Sequence, residues 1–282
     1  MSLLSITSIE EMQSISRQWR RAGESIAFVP TMGNLHDGHL QLVETARQHG
    51  KRVVVSIFVN PLQFGPNEDF GKYPRTLAED KEKLDGLEVD AVFCPDEKTF
   101  YQKPRDRTTF VEVPVLSDML CGASRLGHFR GVTTVVNKLF NIVQPDVAVF
   151  GSKDYQQLAI IRQMVLDLAM PIQIIAVETV READGLAMSS RNKYLSAEQR
   201  ALAPQLYKSL QKVQAQLESG HRDLVSLRDS AKKELVKTGF RLDYLEIRDA
   251  TSLALPTTAT QRRVILTAVW LGNTRLIDNI VV

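Results

Sequence analysis

The feature that most constrains this chain is an alternation. Through its first two-thirds, short apolar runs rich in β-branched residues are followed by segments with apolar residues at helical spacing. Ile26–Pro30 predicts a strand. His39–His49 predicts a helix, with Leu40, Val43 and Ala46 on one face and Gly50 placed to end it. Arg52–Val59 reads as a buried strand. Thr76 and Glu79 have the spacing of a capping box that opens a short helix to about Leu84, and Val89–Cys94 is another strand. Gly131–Val143, Asp146–Phe150, Asp154–Leu168 and Pro171–Val177 continue as helix, strand, helix, strand. Such an order builds a mostly parallel sheet with helices on both faces, and its ligands bind beyond the carboxyl ends of the strands.

The alternation stops after about Glu178. Ser196 and Gln199 have the spacing to cap a long helix reaching about Gly220, and a second helix is predicted from Arg222 to Thr238, stopped by Gly239. Strand-like runs follow at Leu242–Ile247, Arg263–Leu271 and Thr274–Val281. Helices followed by consecutive strands imply a separate α+β unit. The expected fold is therefore α/β: a Rossmann-like domain over residues 1–179 and a smaller C-terminal α+β domain over residues 180–282.

Charge narrows the partners. Thirty-five basic and 33 acidic side chains leave a net charge of +2, which gives no reason to expect a nucleic-acid partner. The N-terminal stretch is interrupted by Ser, Thr and Glu and lacks the basic start of a secretory leader. Val53–Val59 is too short an apolar run to span a bilayer. A soluble cytoplasmic protein is expected, with no membrane partner and with Cys94 and Cys121 as buried, reduced thiols.

Five segments carry the chemistry, and three of them follow a predicted strand. Pro30 to His39 joins a strand to a helix through two glycines. The backbone can approach a ligand there, the helix N-terminus attracts an anion, and His36 and His39 can donate to the same phosphate chain. A metal pair or two surface histidines is the weaker reading, because the glycine turn and helix start accompany them. Gly151-Ser152-Lys153-Asp154 repeats the strand-to-helix setting; Lys153 suits a phosphate, while Asp154 suits either ribose hydroxyls or a helix cap. Gly185 to Asn192, with Ser189, Ser190 and Arg191, suits a clamp on a leaving pyrophosphate or, alternatively, a solvated linker. Asn60 and Gln63 are neutral hydrogen-bonding groups fitted to a small polar substrate. Gln156 and Gln157 repeat that chemistry on a helix.

A histidine motif near the N-terminus with a later Ser-rich basic loop resembles the nucleotidylyl-transferase superfamily. Six segments narrow the resemblance: FVPTMGNLHDGH, SIFVNPLQFGPNED, YPRT, GHFRGVTTVVNKLFNIVQPD, KDYQQLAIIRQMV and READGLAMSSRN. With WLGNTRLIDN near the end, they are similar to the pantothenate synthetase (pantoate–β-alanine ligase) family over nearly the whole chain. The resemblance implies an ATP-dependent ligase. Pantoate attacks the α-phosphate of ATP, pyrophosphate leaves, and β-alanine then displaces AMP from pantoyl adenylate. It implies magnesium as the phosphates' counter-ion and a homodimer.

The same resemblance assigns residues. Met32, Gly33, Asn34, Leu35, His36, Asp37, Gly38 and His39 match the ATP-binding turn, with His39 as proton donor and His36 as its ATP-contacting partner. Gly151, Ser152, Lys153, Asp154, Val180, Met188, Ser189, Ser190 and Arg191 match further ATP contacts. His36, Lys153, Ser189, Ser190 and Arg191 count with His39 as catalytic. Gln63 matches a residue touching pantoate and β-alanine, Gln157 one touching pantoate, and Asn60 is expected to help hold pantoate. Glu79 and Asp80 align with acidic residues linked to magnesium. Ser152 departs from the glutamate usual in the family. Residues 180–282 are expected to act as a lid. The alternatives are a nucleotidyltransferase joining ATP to a phosphate-bearing acceptor, and a catalytically silent nucleotide-binding protein.

Overall fold

The computed structural model describes residues 3–66 and 68–282 and separates into two compact units. The first comprises Met1–Ser152 and Ile160–Glu178; the second comprises Lys153–Ala159 and Thr179–Val282.

The first unit is built on β1 (Leu4–Ile6), β2 (Ile26–Thr31), β3 (Arg52–Ile57), β4 (Ala91–Phe93), β5 (Val147–Gly151) and β6 (Gln173–Val177). All pairings are parallel, in the order β1-β4-β3-β2-β5-β6. The intervening helices are α1 (Ile9–Arg21), α2 (Asp37–His49), α3 (Leu77–Gly86), the short α4 (Glu97–Phe100) and α5 (Cys121–Ser124), α6 (His128–Val143) and α7 (Tyr155–Asp167). The first turn of α7 belongs to the second unit.

Alternation along β2 assigns the two faces. Ala27 and Val29 join Val43 and Ala46 of α2, with Val53, Val55, Val147 and Val149, in one core. Phe28, pointing the other way, meets Phe140 of α6 edge-on at 6.3 Å, and Phe140 meets Phe150 at 6.4 Å. Both faces of the central strands are therefore buried, as their unbroken apolar sequences require. Asp90 ties the β3–β4 edge: its carboxylate accepts the Val53 amide at 2.8 Å and pairs with Arg52 at 2.7 Å.

Two local expectations change, and one helix arises where no element is predicted. Residues 9–21 form α1, whose Met12, Ser16 and Trp19 lie on one buried face and whose Ser8 side chain caps the first turn. The Thr76 capping box does not form: the Thr76 hydroxyl donates to the Asp80 carboxylate at 3.2 Å and makes no cap bond to the helix backbone. Cys94 and Cys121 are both free, but only Cys121 is fully buried; partial burial still pushes the Cys94 thiol up to about 11.

The second unit has an antiparallel sheet of β7 (Arg241–Asp249), β8 (Arg263–Leu271) and β9 (Thr274–Val281) in that order. Helices α8 (Ala197–Leu202), α9 (Gln205–Glu218) and α10 (Leu224–Lys237) pack on it through Leu206, Leu210, Leu227, Leu235, Leu245 and Val269, among others. The capping box at Ser196 and Gln199 forms as expected, with reciprocal bonds of 3.1 and 3.2 Å. The single long helix does not. Pro204 has no N–H to extend the ladder, so α8 stops and α9 restarts at Gln205.

Among the described residues no helix is long and apolar enough to cross a membrane.

Candidate active site

From β2 the chain winds outward through β3 and β4, then returns to place β5 and β6 on the opposite side of β2. In a parallel sheet this reversal opens a crevice at the carboxyl ends of the two central strands. Met32-Gly33 follows β2 there, and Gly151-Ser152 ends β5.

The turn after β2 is held from three directions. The Thr31 hydroxyl donates to the Ser56 carbonyl at 2.8 Å and accepts the Gly33 amide at 3.1 Å. Gly33 (φ +78°) and Asn34 (φ +51°) are both left-handed, and a β-carbon on Gly33 would come within 2.9 Å of Ile57 and 3.1 Å of Asp80. Asp80 is 1% exposed, and its two carboxylate oxygens accept the Asn34 and Leu35 amides at 2.8 Å each. Lys83, one turn further along α3, donates to the Leu35 carbonyl at 2.7 Å. Asp80 therefore spends its charge-assisted bonds on the backbone of the turn.

This turn delivers the two histidines to the start of α2. His36 is the N-cap residue, and its amide donates to Nδ1 of His39 at 3.4 Å. The rings lie 4.1 Å apart, tilted by 44°. An imidazole that accepts at Nδ1 carries its proton, when neutral, on Nε2. His39 thus offers an Nε2–H donor beside a helix N-terminus, where backbone dipoles favour an anion.

The turn after β3 is held differently. Asn60, 1% exposed, caps a single helical turn over Pro61–Gln63. Its Oδ1 accepts the Leu62 amide at 3.2 Å and the Tyr101 hydroxyl at 2.8 Å; its Nδ2 donates to the Gly131 carbonyl and to Gln63 Oε1, both at 3.0 Å. Burial raises the Tyr101 pKa, so the phenol stays neutral and able to donate. Gln63 Nε2 lies 3.3 Å from the Met32 sulfur, which brings the two turns together. The Gln63 carbonyl is also anchored: His128 Nδ1 lies 2.8 Å from it, and Arg125 donates to it at 3.4 Å. Arg125 also grips Glu68 with two bonds of 2.6 Å. Burial opposes ionisation of Glu68, but the Arg125 bonds and charge outweigh it and hold the carboxyl below its ordinary value. Gly131 permits the approach of α6, since a β-carbon there would sit 2.3 Å from the Leu62 carbonyl oxygen and 2.7 Å from the Gln63 nitrogen.

The second unit carries the remaining sequence candidates. Lys153 and Asp154 form a loose pair at 3.8 Å, and the Lys153 carbonyl accepts from Asn279 at 2.9 Å. Gln157 is half-buried in the first turn of α7, where the Tyr155 hydroxyl donates to the Ala250 carbonyl at 2.7 Å. The segment after Val180 is no slack linker. Arg181 bridges to Ala187, makes two bonds of 2.7 and 2.9 Å to the buried Asp278, and lies 3.5 Å over the Tyr207 ring. The Met188 amide bonds to the Val180 carbonyl at 3.0 Å, and the Ser189 side chain caps the turn Ser190–Tyr194 by accepting the Arg191 amide at 3.3 Å.

Glu79 and Asp80 do not fit as a magnesium pair. Consecutive helical residues diverge by about 100°, and here Glu79 faces solvent while the Asp80 oxygens already hold two amides. Among the described residues no group of three or more His, Cys, Asp or Glu side chains converges on a metal position. Asp80 instead supports the turn after β2. Tyr101, Arg125, His128 and Gly131 carry no strand-end motif of their own. GHFRGV marks His128 and Gly131 only as part of a longer resemblance, and Tyr101 has no local signal at all.

Comparison with known proteins extends over the same residues. Positions 4–281 match the model of the family described as Pantoate-beta-alanine ligase. The chain is 56% identical over 273 residues to a pantothenate synthetase of Shewanella amazonensis, covering 97% of both. It is 53% identical over 275 residues to one from Alteromonas mediterranea, covering 98% of both. Among solved structures, a pantothenate synthetase from Thermus thermophilus matches with a TM-score of 0.92 at 42% identity, over 99% of each chain. A Francisella tularensis pantoate-beta-alanine ligase complexed with beta-gamma ATP and beta-alanine matches with a TM-score of 0.83 at 34% identity, over 99% of this chain and 97% of that one.

Proposed function

The chain belongs to the pantoate–β-alanine ligase family, and from that membership we propose how its residues carry out the ligation. It is an AMP-forming carbon–nitrogen ligase that joins pantoate to β-alanine at the expense of ATP, through pantoyl adenylate. In the first step a pantoate carboxylate oxygen bonds to the α-phosphorus as the bond to the bridging oxygen breaks and pyrophosphate leaves. In the second, the β-alanine amine bonds to the acyl carbon, AMP leaves with the ester oxygen, and the nitrogen gives up a proton.

The phosphates take the N-terminus of α2, with Met32 to His39 as their cradle. His39 donates through Nε2 to the charge that builds on the phosphate oxygens, and His36 contacts the same chain. The observation that carries this assignment is the His36 amide on His39 Nδ1, which leaves the proton on the other nitrogen. Gln63 receives the pantoate carboxylate through Nε2, and the amine of β-alanine approaches the same acyl carbon. Gly151 and Ser152 bind ATP at the end of β5. Lys153, Asp154, Val180, Met188, Ser189, Ser190 and Arg191 are proposed ATP contacts, and Gln157 a pantoate contact, on the family resemblance. The division of the chain at residues 179 and 180 and the lid role of residues 180–282 belong to the same proposal. Magnesium would enter as the companion of the triphosphate and neutralise part of its charge. A homodimer and a cytoplasmic location complete the reading; light scattering showing a monomer at micromolar concentration would remove the dimer.

The test is pyrophosphate release from magnesium ATP with pantoate present and β-alanine withheld. Release that requires pantoate, followed by AMP and pantothenate once β-alanine is added, is the expected result. Binding of ATP without pantoate-dependent release would sink the proposed mechanism.

A further inference from the structure

Asn60 follows β3 beside Gln63, and a neutral amide there suggests a second hand on the acid. Its hydrogen bonds assign it elsewhere. A primary amide has two N–H groups and an oxygen with two lone pairs. In Asn60 all four are engaged by protein groups, at 2.8–3.2 Å, and the residue is 1% exposed.

Two of those four partners cannot change role. The Leu62 amide only donates, so the atom facing it is the oxygen. The Gly131 carbonyl only accepts, so the atom facing it is the nitrogen. The orientation of the Asn60 amide is thereby fixed by backbone. The remaining Nδ2 proton points at Gln63, whose amide must then turn its oxygen inward and leave Nε2 on the other side, toward Met32. The Tyr101 phenol, kept neutral by burial, supplies the second donor to Asn60 Oδ1 and supports the same orientation.

Building on the ligase reading above, we infer that Asn60 and Tyr101 are positioning residues that fix the Gln63 amide with its donor end toward the substrate carboxylate. Gln63 presents Nε2 to an anion and withholds Oε1, which would repel it. The pocket distinguishes an acceptor from a donor without carrying a formal charge at this position. Asn60 acts through Gln63 and makes no contact with the acid.

The test is a double-mutant cycle on Gln63. Tyr101→Phe keeps the ring and removes one donor; it is expected to raise KM for pantoate roughly 3- to 10-fold while KM for ATP stays unchanged. Asn60→Asp offers Gln63 only acceptors, so the glutamine turns Nε2 inward and presents its oxygen; KM for pantoate is expected to rise on the order of 100-fold. In a Gln63→Ala background each substitution should add less than about twofold, because the group it orients is gone. A role confined to packing would lower kcat/KM equally in both backgrounds. Additive effects of Tyr101→Phe and Gln63→Ala would overturn the inference even if Asn60→Asp fails to fold. A wild-type enzyme whose pyrophosphate release ignores pantoate would instead sink the ligase mechanism, and this inference with it.

Discussion

The turns after β2 and β3 leave adjacent strands of one sheet, and each rests on a fully buried polar side chain among its supports. The chemistry of the two supports differs. Asp80 under the β2 turn is an anion that takes two backbone amides and leaves the path of the main chain fixed. Asn60 under the β3 turn is neutral and bipolar, and it passes its own polarity to the side chain of Gln63. A carboxylate can only collect donors, which is enough where the groups proposed to face the ligand are backbone and the histidines it carries. Where the ligand-facing group is an amide that could point either way, an amide is the support that can choose between its ends.

The largest expected effect tests the first turn at the chemistry itself. His39→Ala should slow pyrophosphate release on the order of 10²–10⁴-fold while leaving the thermal unfolding midpoint close to wild type. Wild-type turnover would remove the residue from the reaction. Gly131→Ala strikes the second turn from outside. Its new methyl must displace the Leu62–Gln63 peptide, at a cost of about 1–3 kcal/mol in stability, and KM for pantoate should rise with little change for ATP. An equal rise in both would mean that the two turns do not act separately. Asp80→Asn places an amide nitrogen against a backbone donor. It should destabilise the protein by about 1–3 kcal/mol and raise KM for ATP without altering the magnesium concentration needed for half-maximal rate. Glu79→Gln should do neither, and a changed magnesium requirement in either variant would restore the metal role.

The smallest effect is pH-dependent. The folded-state pKa of Glu68 is held below the ordinary 4.5, so its pairing with Arg125 contributes above that value and is lost as the pH falls through the folded-state value. Glu68→Gln should therefore cost stability at neutral pH, by about 1–2 kcal/mol for a partly buried paired carboxylate. Denaturant unfolding of the two proteins should converge below pH 4.5. A difference that persists unchanged at low pH would mean that packing, rather than the ion pair, holds the Gln63 segment.

Much of the scaffold was legible because its signals are local. The apolar runs at Ile26, Arg52 and Asp146 lie within a residue or two of β2, β3 and β5, and each leads to a turn already picked out by its glycines, histidines or amides. Local signals also misled where a partner lies far along the chain. Thr76 has the spacing of a helix cap, but its hydroxyl turns to Asp80, and Asp80 in turn holds amides 45 and 46 positions away. Tyr101 and Gly131 reach Asn60 from 41 and 71 positions away, so no spacing pattern could attach them to Gln63. The break between α8 and α9 is a different case, since Pro204 was visible and outweighs the helical periodicity on either side.

The fixed polarity of Gln63 has a consequence for the solvent. An oriented dipole is short in range, and its attraction for a carboxylate is spent almost wholly at contact. Mobile ions screen interactions over about a Debye length, some 10 Å at 0.1 M salt, and weaken such a contact little. On the proposed binding of the organic acid at Gln63, its recognition is expected to be largely insulated from the ionic strength, whereas that of the triphosphate, drawn by dipoles and charges acting over longer distances, remains exposed to it.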